Sequence, residues 1–197
     1  MSDFLARLEA TFGNCLPEAL FYNFDFSLRF ELSQRGDWPT RILQACSRAR
    51  TILDSLPTAD DEWEVVLASY GEDFASSLAG FAPELLNIYG CEKEGLRVLG
   101  EIYVDGEFQR SLVTLDPPPS TSACLLAAVA ADCPALVSPF PASPYLIDWQ
   151  REVIVWPYDD RGMDVVATSR ATLQPIYDRF RQWLLESDLA RMDSTFA

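Results

Sequence analysis

Three carboxylates, Asp159, Asp160 and Asp164, stand close together in the C-terminal part of the chain. Such a group can ligate Mg²⁺ or Ca²⁺, which take hard oxygen donors. The spacing departs, however, from the D-x-[DN]-x-[DN]-G calcium loop. Asp160-Arg161-Gly162 has instead the composition of a three-residue hairpin loop, with glycine supplying positive φ. In that reading one aspartate bonds the turn amides while Arg161 pairs with a neighbouring carboxylate. Contact with a partner stays open beside it. Earlier in the chain, Asp25, Arg29 and Glu31 share one face of an alternating segment. Cross-strand ion pairs there would contribute about 0.2–1 kcal/mol each if exposed. Two carboxylates can also hydrolyse a glycosidic bond without histidine, but no particular pair is marked out.

The densest acidic run is Asp60-Asp61-Glu62, with Glu64 beyond and Trp63 inside it; Glu72-Asp73 and Glu92/Glu94 are similar clusters. Such runs are either solvated surface or an anionic patch that grips a cationic protein around an aromatic anchor. Trp149 and Trp156 are alternative anchors, although core positions suit both. The expected partner-binding residues are therefore Asp60, Asp61, Glu62, Trp63, Glu72, Asp73, Asp159 and Asp160. No catalytic residue, metal ligand or cofactor-binding residue is expected.

Absences narrow the chemistry. The chain contains no histidine, which removes Ser-His-Asp and Cys-His catalysis and His-ligated zinc. Lys93 is its sole lysine and lies in no G-x-x-x-x-G-K-[ST] loop, and no G-x-G-x-x-G follows a strand-like run. Basic character comes almost wholly from arginine, which suits carboxylate pairing and interfaces. The net charge of −15 repels nucleic acid and anionic membranes and draws in cationic proteins. Solubility alone is the competing explanation of that charge. The five cysteines are an odd set without a C-x-x-C pair, so buried free thiols are expected. No stretch reads as a membrane span or a signal peptide. The expectation is a cytoplasmic protein.

The elements that must position these residues follow from periodicity. Phe4, Leu5, Leu8 and Phe12 predict a helix over 2–12 with Ser2 as cap. Strict alternation over Tyr22–Leu32 predicts a strand, with Phe24, Phe26, Leu28, Phe30 and Leu32 on one face. Pro39 suits the first turn of a helix reaching Leu56. A strand over Trp63–Tyr70 follows, then short helices near Asp73–Leu78 and Pro83–Tyr89. Asp105-Gly106 joins the strands Leu96–Val104 and Phe108–Leu115 as a hairpin. Beyond Pro117-Pro118-Pro119, an apolar helix is expected over Ser122–Ala131, then a proline-rich loop at 134–144. Strands at Tyr145–Asp148, Glu152–Pro157 and Met163–Ala167 lead to a long helix from Ser169 to Glu186 and a short one near Leu189–Phe196. The irregular order suggests one α+β domain, a mostly antiparallel sheet covered by helices.

The segment Tyr158-Asp159-Asp160-Arg161-Gly162-Met163-Asp164-Val165-Val166-Ala167, followed by Leu173, Tyr177 and Trp183-Leu184, resembles a bacterial family known as domain of unknown function 3885. Leu28-Arg29-Phe30-Glu31-Leu32 and the arginine-containing helix after it are similar too. The resemblance brings no activity and no catalytic residue. Small acidic bacterial proteins of this kind resemble immunity proteins, and that likeness implies a cognate toxin, or another basic protein, as partner. A regulatory or scaffold domain, and a carboxylate- or metal-dependent enzyme, are the alternatives.

Overall fold

Alternating Phe26, Leu28 and Phe30 produce the first strand, β1, at Phe26–Glu31. The computed structural model describes residues 2–17, 19–59, 62–69, 87, 90–104, 107–133, 136 and 142–197. Within these, β1 is joined by β2 (Glu64–Ser69), β3 (Arg97–Val104), β4 (Glu107–Thr114), β5 (Ser143–Asp148), β6 (Val153–Pro157) and β7 (Gly162–Ala167). They form one sheet in the order β1-β7-β6-β5-β2-β4-β3, and every neighbouring pair is antiparallel. The fold is an α+β domain, its antiparallel sheet covered by helices.

Both faces of the sheet are buried, which explains why several strands read as continuous apolar runs. On one face Leu28, Phe30, Leu67, Leu146, Val155 and Val165 pack with residues of α3 (Trp38–Leu53), α4 (Thr121–Ala130) and α5 (Arg170–Phe180). On the other, Val66, Ala68, Tyr145, Ile147, Ile154 and Val166 pack with α1 (Asp3–Phe12) and α2 (Leu20–Asn23). The last helix, α6 (Leu189–Phe196), buries Met192 and Phe196.

Local chemistry sets the boundaries. Ser2 caps α1 by accepting from the Leu5 amide, and Gly13 ends it in a left-handed conformation. Asp37 caps α3 at the Thr40 amide, with Pro39 in the first turn. Among the described residues, no helix is long and apolar enough to cross a membrane.

Three expectations are corrected. The first strand starts at Phe26, not Tyr22, because Leu20–Asn23 coil into α2. The polar face of β1 is partly covered rather than open to solvent: Ser27 is buried beneath α2, donating to the carbonyls of Phe21 and Phe24, and Arg29 and Glu31 are half-buried. The helix from Ser169 does not reach Glu186. It stops at Phe180 and continues as 3₁₀ turns, because Leu184 and Leu185 leave the helix to bond the edge of β1. The helix expected near 73–78, all of that near 83–89 except Asn87, the Asp105-Gly106 turn, and Pro134, Pro139 and Pro141 lie outside the described residues. Pro144 falls inside β5, opposite Leu67, near the strand's start, where a missing N–H is tolerated.

Candidate functional site

The β6–β7 connection carries the first two aspartates. Asp159 Oδ1 accepts from the amides of Arg161 (2.7 Å) and Gly162 (3.2 Å), while Oδ2 accepts from Arg161 Nε at 2.8 Å. The turn is thus held by its own carboxylate, and Arg161 reaches on to Asp132 at 3.4 Å. Gly162 serves close approach rather than positive φ: a Cβ there would run into the Tyr158 ring. Asp160 is fully buried. Its Oδ2 pairs with Arg41 Nη2 at 2.5 Å and accepts from Ser33 Oγ at 3.3 Å. Its Oδ1 has no partner among the described residues.

Asp164 lies directly opposite Arg29 in the β1–β7 ladder. Arg29 donates through Nε to Oδ1 (2.8 Å) and through Nη2 to Oδ2 (3.0 Å), and the Phe21 amide donates to Oδ2 at 3.0 Å. Arg29 also reaches Asp188 at 3.4 Å, and Tyr22 Oη donates to Asp188 at 3.1 Å. The guanidinium sits 5.0 Å from the Phe21 ring centre and 4.7 Å from that of Tyr22. One arginine therefore fixes α2, the sheet and the C-terminal segment together. Burial pushes the Asp164 carboxyl up from the ordinary carboxylate range, against the pull of Arg29 and the Phe21 amide. Burial opposes the charge of Arg29, but its bonds to Asp164 outweigh that and hold the guanidinium above its usual value. Burial, reinforced by Asp164, likewise pushes the Tyr158 hydroxyl up.

At the far end of β5, Asp148 repeats the device. It accepts from Thr58 Oγ1 (2.6 Å), from the amides of Gln150 and Arg151 (2.9 Å each) and from Arg151 Nη1 (3.0 Å). Desolvation would raise this carboxyl, yet the combined donors win and hold it below the ordinary range. The buried carboxylates among the described residues are thus Asp148, Asp159, Asp160 and Asp164. Each has an arginine of its own: Arg151, Arg161, Arg41 and Arg29. These pairs cancel, so the whole surplus of −15 belongs to groups outside them.

Beside this lattice lies an open cleft of about 430 Å³ whose lining includes Glu31, Ser33, Gln34, Arg35, Arg41 and Arg161. Arg41 stacks 4.6 Å from the Trp38 ring centre. The sequence reading did not assemble this cleft or the Arg29–Asp164 and Arg41–Asp160 links. The available signal was the preference for arginine over lysine, which suits buried forked pairing.

Asp60, Asp61, Glu72 and Asp73 lie outside the described residues. Glu62 is exposed, accepting from the Ala59 amide and pairing with Arg151 at 3.1 Å. Trp63 is buried in the core rather than displayed, and Asp159 and Asp160 are buried in the turn. Among the described residues no three His, Cys, Asp or Glu side chains gather as a group able to hold a metal ion. All five cysteines are free thiols.

Fold and site together define an acidic α+β domain whose interior carboxylates are individually locked by arginine and whose remaining negative charge is on its other groups. The chain belongs to the family described as "Domain of unknown function (DUF3885)", whose family model matches residues 4–188. No curated protein and no solved structure matches it.

Proposed function

We propose that this chain is a non-enzymatic binding protein of the immunity or inhibitor type, which neutralises a cationic partner protein, in the first instance a toxin, by covering it with its negative surface. The observation that supports this is the one-to-one neutralisation of the buried carboxylates. Each buried carboxylate is neutralised by an arginine, and arginines such as Arg50, Arg97 and Arg181 are also engaged with aspartates. The surplus carboxylates therefore set a negative field outside the molecule, and such a field accelerates encounter with a basic surface. The locked carboxylates at the β6–β7 turn fit a scaffolding role better than proton transfer, since Asp159 is committed to turn amides and an arginine.

The test is co-purification with the product of the neighbouring reading frame, followed by calorimetric titration at low and high salt. A one-to-one complex whose affinity falls as salt rises is the expected result. Absence of binding at both salt concentrations would remove the inhibitor reading.

A further inference from the structure

The two ends of the sheet are finished differently. At β1 the outward backbone groups are occupied. Leu184 bridges to Phe30, and the Leu185 amide donates to the Arg29 carbonyl at 2.9 Å. The Arg29 amide points at Met192 Sδ at 3.3 Å, and Arg48 donates to the Glu31 carbonyl at 2.8 Å. This is how an edge is closed against strange strands.

At the other end, among the described strands, β3 pairs only with β4. Among the described residues no backbone or side-chain group bonds the outer edge from Val98 to Ile102. An open edge is a template for main-chain pairing. Its bulges fall between Val98 and Gly100 and between Ile102 and Tyr103, so the stretch from Gly100 to Ile102 stays in regular register. Val98 (44% exposed) and Tyr103 (56%) present apolar surface at its two ends, and Tyr103 Oη donates to Glu101 at 2.6 Å.

The geometry points to the outer edge of β3 as a docking strand: an extended, cationic segment of the partner pairs with it and lengthens the sheet by one strand. The occupant follows from charge. Glu92, Glu94, Glu101, Glu107 and Asp116 are all exposed around this hairpin. Arg97 is held by Asp116 at 3.5 Å, Arg110 is buried, and Lys93 is the remaining cation of the stretch. A second copy of this chain is the wrong guest. Antiparallel self-pairing centred on Glu101 sets that carboxylate against itself, and two chains of −15 each repel. A lysine- or arginine-bearing strand meets the carboxylates instead, while main-chain bonds supply the directional part of the affinity. This inference rests on the proposed cationic partner and adds the place and the mode.

The experiment is amide hydrogen exchange by NMR on the intact protein. The probes are an octapeptide of alternating lysine and valine and its glutamate–valine counterpart, each at low and high salt. With the lysine peptide at about 100 times its Kd, outward β3 amides are expected to slow by about a hundredfold. The effect falls at high salt, is absent with the glutamate peptide and is lost in Glu101→Lys/Glu107→Lys, a surface variant that keeps the parent melting temperature. Salt-dependent binding that protects another element, with β3 unchanged, would overturn the docking strand and leave the cationic-partner reading standing. Failure of the lysine peptide to bind at either salt would count against both. Equal slowing by the acidic peptide would show that charge does not select the guest and would overturn the proposal.

Discussion

Replacing Arg29 by methionine isolates the energetics of the buried lattice. Methionine keeps most of the apolar stem beside Phe21 and Tyr22 but removes the fork that holds Asp164. Asp164 is fully buried, so the variant strands a carboxylate with the Phe21 amide as its remaining donor among the described residues. Breaking a buried pair from one side costs about 3–5 kcal/mol. At about 2–4 °C per kcal/mol for a domain of this size, the melting temperature should fall by about 6–20 °C. Adding Asp164→Asn removes the stranded charge and still offers an acceptor to the Phe21 amide, so the double variant should regain about 2 kcal/mol. The sign of the pH dependence is fixed as well. Without Arg29, burial acts on Asp164 against the Phe21 amide only and pushes its folded-state value up further. The folded state then binds that proton more tightly than the unfolded state, so stability falls as pH rises. The deficit of Arg29→Met should be small near and below about pH 3.9, the ordinary aspartate value, and grow to a plateau above the raised one. Chemical denaturation of the parent, both single variants and the double variant across this range measures all of it. A deficit that does not change with pH, or a double variant no more stable than Arg29→Met, would refute the assignment of Asp164 as a charge held by Arg29.

Other outcomes are as definite. Asp148 is held below the ordinary range by donors that outweigh its desolvation. Its contribution is therefore present at neutral pH and lost as pH falls through the depressed folded value. Asp148→Asn should cost about 1–2 kcal/mol at pH 7 in urea unfolding, with the difference from parent closing in acid. Gly162→Ala forces a methyl group into Tyr158 and should destabilise by about 1–3 kcal/mol; Tyr158→Phe, which removes the nearest atom, should restore part of it. The Cys15 thiol is pushed up to about 11 by burial and by its bond to Glu9. Alkylation by iodoacetamide near neutral pH should be slower than for an ordinary thiol of value 9.0 by roughly a hundredfold. Glu9→Gln should recover part of that rate.

How much of the molecule could be read in advance depends on the range of the interactions involved. Ser2 caps α1 through a bond three residues away and Pro39 sits in the first turn of α3, and those starts were legible. So were the strands whose apolar residues alternate or run together. The self-capped turn at Asp159 was legible for the same reason: its donors are the amides of Arg161 and Gly162. Arg29 was not. Its partner is far along the chain, on the opposite end of the sequence from α2, and an Arg–Glu alternation looks the same whether its face meets water or another layer. The misjudged end of α5 has a similar origin. Phe180, Trp183 and Leu184 keep helical spacing, yet Leu184 is drawn off by Phe30 on β1, a tertiary bond outweighing a local preference. The arginine-lined cleft joins segments near Ser33, Arg41 and Arg161 that only the strand order brings together.

That strand order also bears on how the chain is made. Phe26 faces Ala167 across the β1–β7 ladder, so β1 finds its neighbour only after the chain through Ala167 has been made. At about 5–20 residues per second, synthesis of the intervening chain takes on the order of ten seconds. Through that interval Phe26, Leu28 and Phe30 are already outside or near the ribosome exit, and Arg29 is without Asp164. A ribosome stalled before Gly162 would carry a strand still missing the partner that closes it.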